Sequence, residues 1–262
     1  MPARRSPDER DVFTSTRGRV RRNVTPTEVE MPPDAVTPVV TVHLWGVPTR
    51  RVPGAVRRMV TQRRALQRTD GLTFAKLLGT GSGRTFTPGD ADPNHWGVLA
   101  CWSSAEAATA FEAGSVVCSW DTVAEERLRL VLRPLSAKGS WAGRQPFGDP
   151  AERSEGPVAA ITRARLRPHR TFTFWRAVPP VVSELHAAPG LRLAVGVGEA
   201  PVGLQGTLSL WDDDAALAGL AYSGEAHSEV VRRTASAGWY AEELFARFAV
   251  QDVDGTFQGR TP

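Results

Sequence analysis

No stretch of the chain approaches the roughly 18 consecutive apolar residues that a membrane-crossing helix needs. The first 38 residues, rich in arginine and proline, hold no apolar signal-peptide core. The first absence excludes a helical span and the second gives no sign of export, so a cytoplasmic protein is expected. Cysteine is almost missing. Cys101 and Cys118 cannot make a disulfide framework and read as small buried hydrophobes. Cys/His clusters at zinc spacing, His-Glu-x-x-His and a nucleophile elbow are also lacking, which argues against zinc chemistry and serine-type hydrolysis. Gly79-Thr80-Gly81-Ser82-Gly83 lacks the lysine and the helix of a phosphate loop and reads as a hairpin loop. Gly196-Val197-Gly198 lacks the third glycine of a dinucleotide fingerprint and reads as a strand end. Glu125-Glu126 and Glu242-Glu243 are adjacent pairs, and neighbours on a helix face different directions, so neither is an obvious acid/base pair.

What remains is an ordinary globular composition, 41% hydrophobic and 23% charged, in 262 residues, enough for two domains with their own cores. The isoelectric point near 9.7 invites a nucleic-acid reading. The net charge is only +4, however, and much of the excess sits in Arg4, Arg5, Arg17, Arg19, Arg21 and Arg22 and on one helix with Arg57, Arg58, Arg63 and Arg64. Both read as solvated, and no nucleic-acid motif accompanies them.

Residues 1–37 contain too few large apolar residues to offset ordering entropy and read as a disordered basic tail. The β-branched run from Val39 to Trp45 begins a strand, helical spacing follows from Arg51 to Arg68, and strands are expected over 72–78, 96–102 and 128–132, with a helix capped by Ser103 or Ser104 after the third. The same order returns with strands 158–166, 191–197, 206–211 and 244–250, a helix over 171–186 and another after Asp212-Asp213-Asp214. A further helical stretch is expected over 226–235. The fold class is therefore α+β: two tandem ferredoxin-like βαββαβ units, 38–137 and 157–257, joined by a linker over 138–156 and followed by a tail over 258–262. Each unit carries both helices on one face of its sheet, and packing the other faces together as a barrel covers both, leaving ligand space between sheet and helices.

Among five histidines, His43, His95 and His169 read as structural or solvated, and His186 as a helix C-terminal cap. His227 follows Tyr222-Ser223-Gly224 with Val230 and Val231 one turn on, a spacing compatible with an imidazole facing the space between helix and sheet, or with a core or capping role.

Several stretches resemble the spheroidene monooxygenase family: Phe74-Ala75-Lys76-Leu77-Leu78-Gly79-Thr80-Gly81, Phe86-Thr87-Pro88, Asn94-His95-Trp96-Gly97-Val98, the run Leu132 to Trp141, Pro157 to Ala164, Phe174-Trp175-Arg176-Ala177-Val178-Pro179, Val195 to Pro201, and Trp239 to Phe248. The likeness spans about residues 39–257. It implies a dimeric α+β barrel and a haem-dependent monooxygenase acting on an apolar small molecule with dioxygen and an external electron donor such as a ferredoxin. The cofactor implied is haem b, with His227 as iron ligand and His186 in reserve. Lys76, Arg163 and Arg232 are implied partners of the haem propionates, and Phe174 and Trp175 implied walls of the cavity. The same scaffold carries two rival readings, a haem-dependent dehydratase or N–O chemistry enzyme and a non-catalytic haem or hydrophobic-ligand carrier. The distal residues, the substrate and the oligomeric state, a homo-oligomer included, stay open.

Overall fold

The computed structural model describes residues 38–148, 150, 153–199, 206–223 and 239–262. The expected tail over 1–37 and the expected helical stretch over 226–235 lie outside them. Strand β1 (Val39–Gly46) leads through helices α1 (Val52–Thr61) and α2 (Arg63–Gln67) to the hairpin β2 (Leu72–Gly81) and β3 (Ala91–Trp102). Helices α3 (Ala105–Glu112) and α4 (Ser115–Asp121) precede β4 (Glu126–Gly139). The second unit repeats the order with β5 (Val158–Leu166), α5 (Thr171–Ala187), β6 (Leu191–Gly198), β7 (Gly206–Trp211), α6 (Asp214–Ser223) and β8 (Tyr240–Gly255). Ser104 caps α3 by accepting the Ala107 N–H at 3.2 Å, as its spacing predicts. Trp120 lies in α4, a short helix the sequence pattern does not announce.

The strands form one closed antiparallel barrel in the order β1-β3-β2-β6-β7-β5-β8-β4, with β4 pairing back to β1. Its two inter-unit seams are unequal. Along β4 and β8 the register runs from Leu128↔Gly255 to Gly139↔Leu244, whereas β2 and β6 meet only at Gly79↔Gly198, Thr80↔Val197 and Gly81↔Gly196. Alternation sends Val40, Val42, Leu44, Leu128, Leu130, Leu132, Ile161, Leu208, Leu210 and Phe248 into a packed interior. The helices sit outside.

Both long strands run well past the ends expected for them, and each terminates in the same turn. Gly139-Ser140-Trp141-Ala142-Gly143-Arg144 after β4 matches Gly255-Thr256-Phe257-Gln258-Gly259-Arg260 after β8. Gly139 and Gly255 have φ of 96° and 92°, Ala142 and Gln258 55° and 52°, Gly143 and Gly259 70° and 73°. Bridges Trp141↔Arg144 and Phe257↔Arg260 close the turns, and the aromatics join the interior cluster. The segment 138–156 is thus more than a spacer, since Trp141 and Phe147 are fully buried. Likewise 258–262 begins as the second half of a closed turn rather than as a loose tail.

The turn glycines are not equivalent. A Cβ on Gly139 would collide with the Glu243 carbonyl oxygen, while one on Gly143 meets nothing within 4 Å. Both positions hold the left-handed conformation that L side chains disfavour. Gly143→Ala should therefore cost about 1 kcal/mol and Gly139→Ala about 3 kcal/mol of unfolding free energy, measured by urea titration.

Candidate functional site

At one end of the barrel the turn after β4 meets a buried charge network. Glu242 on β8 accepts from the Gly143 N–H at 2.7 Å and from Ser140 Oγ at 3.1 Å, and pairs with Arg163 Nη1 at 2.6 Å. Arg163 on β5 also donates through Nη2 to Glu199 Oε1 at 2.8 Å, and Trp141 Nε1 donates to the same oxygen at 2.6 Å. Lys76 on β2 completes the set, with Nζ 2.6 Å from Glu199 Oε2. The guanidinium of Arg163 lies 5.2 Å from the Trp141 ring centre and the Lys76 ammonium 5.6 Å from that of Phe74. Burial works against a charged Glu242, but the Gly143 N–H, Arg163 and Ser140 outweigh it and bring the carboxyl down to about 2. Glu199 is also held below its ordinary value: Lys76 and Trp141 overcome the penalty of burial.

The family resemblance implies Lys76 and Arg163 as propionate partners. The structure brings them together, but on the interior face of the sheet, each neutralised by a carboxylate. The helices lie on the other face. Beside this network β6 parts from β2, and a cavity of about 490 Å³ opens along β2, walled by Phe74, Lys76, Glu199 and Arg144 and by Arg63 and Leu66 of α2.

The matching turn at the other end uses Glu126, which accepts from the Gly259 N–H at 2.6 Å, the Gln258 N–H at 2.8 Å and Thr256 Oγ1 at 2.9 Å. Here the partner is His95, whose Nε2 lies 3.1 Å from Glu126 and Nδ1 2.7 Å from Asp92, with its ring centre 4.8 Å from that of Phe257. Burial opposes protonation of His95, yet the Asp92 and Glu126 carboxylates outweigh it and raise its pKa. His43, by contrast, is fully buried, and burial lowers its pKa against the pull of Glu112, 2.8 Å from Nε2. Its Nδ1 has no hydrogen-bond partner among the described residues. Sequence reasoning set aside Glu126, Glu242 and His95 and did not single out Glu199. The signal for the first two was the repeated Gly-(Ser/Thr)-aromatic-x-Gly-Arg turn.

The helix-facing side differs between the units. Register places Thr162 where the first unit has His43, Ala164 where it has Trp45, and Thr207 where it has Val98. In the first unit these positions join Trp96, Trp102, Phe111 and Trp120 in a filled aromatic layer, with His43 stacked on Trp45 at 5.3 Å and Trp45 on Trp120 at 5.4 Å. In the second unit the large groups are gone, and Thr162 is exposed between the strands that α5 and α6 flank. Phe174 of α5 contacts Phe86, Trp239 and Tyr240 at ring-centre distances of 6.3, 5.9 and 5.9 Å, and Trp175 packs in the same cluster. His186, in the last turn of α5, is exposed and hydrogen-bonded to the Ser82 backbone of the β2–β3 loop. His169 is exposed. His227 and Arg232 lie outside the described residues.

His43, buried, and His95, half-buried, make opposite contributions to the pH dependence of stability. His95, with its pKa raised on folding, stabilises fully below the unfolded value near 6.5 and loses that contribution as pH rises through the folded pKa. His43, held neutral in the fold, costs stability as pH falls below about 6.5, where the unfolded chain takes up the proton. Urea unfolding at several pH values should show His95→Gln losing most relative to wild type at acidic pH, and His43→Gln losing least there.

No family model matches the chain. It is 35% identical over 220 residues to the spheroidene monooxygenase of Rhodobacter capsulatus, covering 82% of this chain and 90% of that protein. To the spheroidene monooxygenase of Rubrivivax gelatinosus it is 39% identical over 194 residues, 72% of this chain and 73% of the relative. The enzyme of that name from Cereibacter sphaeroides is 33% identical over 194 residues, 72% of this chain and 59% of the relative. Among solved structures, an aldoxime dehydratase superposes with a TM-score of 0.54 at 12% identity, over 83% of this chain and 82% of the other. Another aldoxime dehydratase, in complex with butyraldoxime, gives 0.52 at 14% identity over 84% and 81%. At those identities the structural likeness is one of fold.

Proposed function

This chain belongs to the spheroidene monooxygenase family, and from that membership we propose that it is a monooxygenase acting on an apolar, polyene-type molecule with haem b as cofactor. The identity with relatives of that name, over nine-tenths of the Rhodobacter capsulatus protein, is the observation that carries the reading. In such a reaction dioxygen takes up two electrons and two protons, one oxygen atom enters the substrate and the other leaves as water. The electrons come from an external donor such as a ferredoxin. When bound, haem would supply dioxygen activation on its iron.

The residues present fit a flat ring on the helix-facing side of the second unit. Thr162, Ala164 and Thr207 leave the depth that His43, Trp45 and Val98 occupy in the first unit, and Phe174 and Trp175 on α5 supply aromatic walls. We assign His227 as the iron ligand, with His186 in reserve. Arg232 is assigned to the propionates, since Lys76 and Arg163 are paired with Glu199 and Glu242 across the sheet. In this reading the apolar walls exclude water from the oxidant.

The test is the visible spectrum of purified protein, as isolated and after hemin addition. Wild type should show a Soret band that shifts or vanishes in His227→Ala. Ala164→Trp, which restores the bulk found at Trp45, should weaken hemin binding at least about tenfold, equivalent to ~1.4 kcal/mol, with far-UV circular dichroism unchanged. A wild-type protein that never takes up hemin overturns the haem assignment, and oxygen consumption with reductant and polyene then tests the monooxygenase reading on its own.

A further inference from the structure

From Thr49 to Arg68 the chain carries seven arginines and neither aspartate nor glutamate. Two are committed locally: Arg50 reaches Glu125 at 3.1 Å, and Arg58 donates to the Ser119 carbonyl at 3.2 Å while lying over the Trp120 ring. Arg51, Arg57, Arg63, Arg64 and Arg68 are exposed and make no ion pair among the described residues. Arg57, Arg63 and Arg64 lie on α1 and α2 themselves, with Arg51 and Arg68 at their outer ends.

Helix α1 also carries apolar residues. Inward, α1 buries Ala55 and packs Val52 and Met59 against the first unit's sheet. Outward, Val56 and Val60 are one turn apart on the same stripe, 43% and 70% exposed, and they are two of the three exposed large hydrophobic residues among the described ones. Arg57 adjoins Val56, and Arg64 follows Val60 by one turn. A stripe of two valines on a single convex helix is too narrow for the roughly 800 Å² that each partner buries in a stable protein interface. It suits the boundary of a bilayer, where apolar side chains enter between headgroups and flanking cations meet lipid phosphates.

We propose that α1 and α2 form a docking face for an anionic lipid surface, with Val56 and Val60 entering the interface and Arg57, Arg63 and Arg64 pairing with lipid phosphates. Arg63 and Leu66 of α2 also wall the cavity beside β2, so the face that meets lipid carries an opening into the protein. Docking rests on the oxygenase reading only for its purpose, since an apolar polyene partitions into bilayers. The contact itself needs neither cofactor nor turnover.

Cys118 is exposed, against the expectation of a buried thiol, so the experiment uses the full chain with Cys118→Ser and Val60→Cys, labelled at residue 60 with the environment-sensitive dye NBD. Cys101 stays unlabelled because it is buried and its thiol pKa is pushed up. On vesicles of phosphatidylcholine mixed with phosphatidylglycerol the dye should brighten and shift to the blue, and on phosphatidylcholine alone it should not. Arg57→Gln combined with Arg64→Gln should weaken partitioning about 25-fold, roughly fivefold per charge removed. The arginines of the first 37 residues also attract anionic lipid, and the dye separates the two effects. Sedimentation with vesicles and a silent dye means the tail alone binds and overturns the proposal. A dye that responds to an acidic ferredoxin and not to vesicles makes the face a protein-docking surface, which also overturns it. Both outcomes leave the hemin spectrum untouched.

Discussion

A four-stranded antiparallel sheet with helices on one side has a second face that must be covered, and here each unit covers the other's. Closure along β4 and β8 brings both apolar faces into one interior, and side chains fill it, with Trp141, Phe147 and Phe257 entering from the connecting segments. A full interior leaves a ligand two kinds of place: between sheet and helices, or where neighbouring strands separate. The second unit offers the first, with Thr162, Ala164 and Thr207 on the helix-facing side of its sheet. The junction of β2 with β6 offers the second.

The two units share a backbone plan and diverge in what their helices cover. Around Trp45, Trp102 and Trp120 the first unit builds a dry aromatic layer that anchors α3 and α4, with Trp45 Nε1 donating to Asp121 at 2.7 Å. Truncation of the same register positions in the second unit removes packing that would hold its helices. A unit that stabilises beside a unit that accommodates is a division that one fused chain permits, because the stability of the closed barrel is shared between them.

The strand and helix order was legible because each element announces itself locally: β-branched alternation in β1 and β5, Ser104 as a cap, the aspartate run before α6. The lengths of β4 and β8 were not. Pro134 and the charged residues Arg127, Arg129 and Arg133 disguise a strand that is wet on one face, and its ladder depends on a partner more than a hundred residues away in sequence. The turns after these strands were missed for a related reason: glycine and serine look like linker until the carboxylate that collects their N–H groups is placed beside them. Glu242 and Glu126 were set aside as members of adjacent pairs on helices, although they lie on strands, where neighbours face opposite sides and one of each pair turns inward. Lys76 and Arg163 were named through the family resemblance, and their pairing through Glu199 could emerge only from barrel closure. His227 stood out by its spacing, and only the family resemblance made it the iron-ligand candidate.

The inequality of the two seams gives the barrel a direction in which it yields. Backbone hydrogen bonds along β4 and β8 act in series over the whole length of both strands, while three residue pairs rich in glycine hold β2 to β6, reinforced at one end by the Lys76–Glu199 contact. Thermal breathing therefore concentrates on one line, as in a book whose spine is the long ladder and whose fore-edge is the short one, and amide protons around Thr80 and Val197 exchange with solvent long before those at the centre of β4.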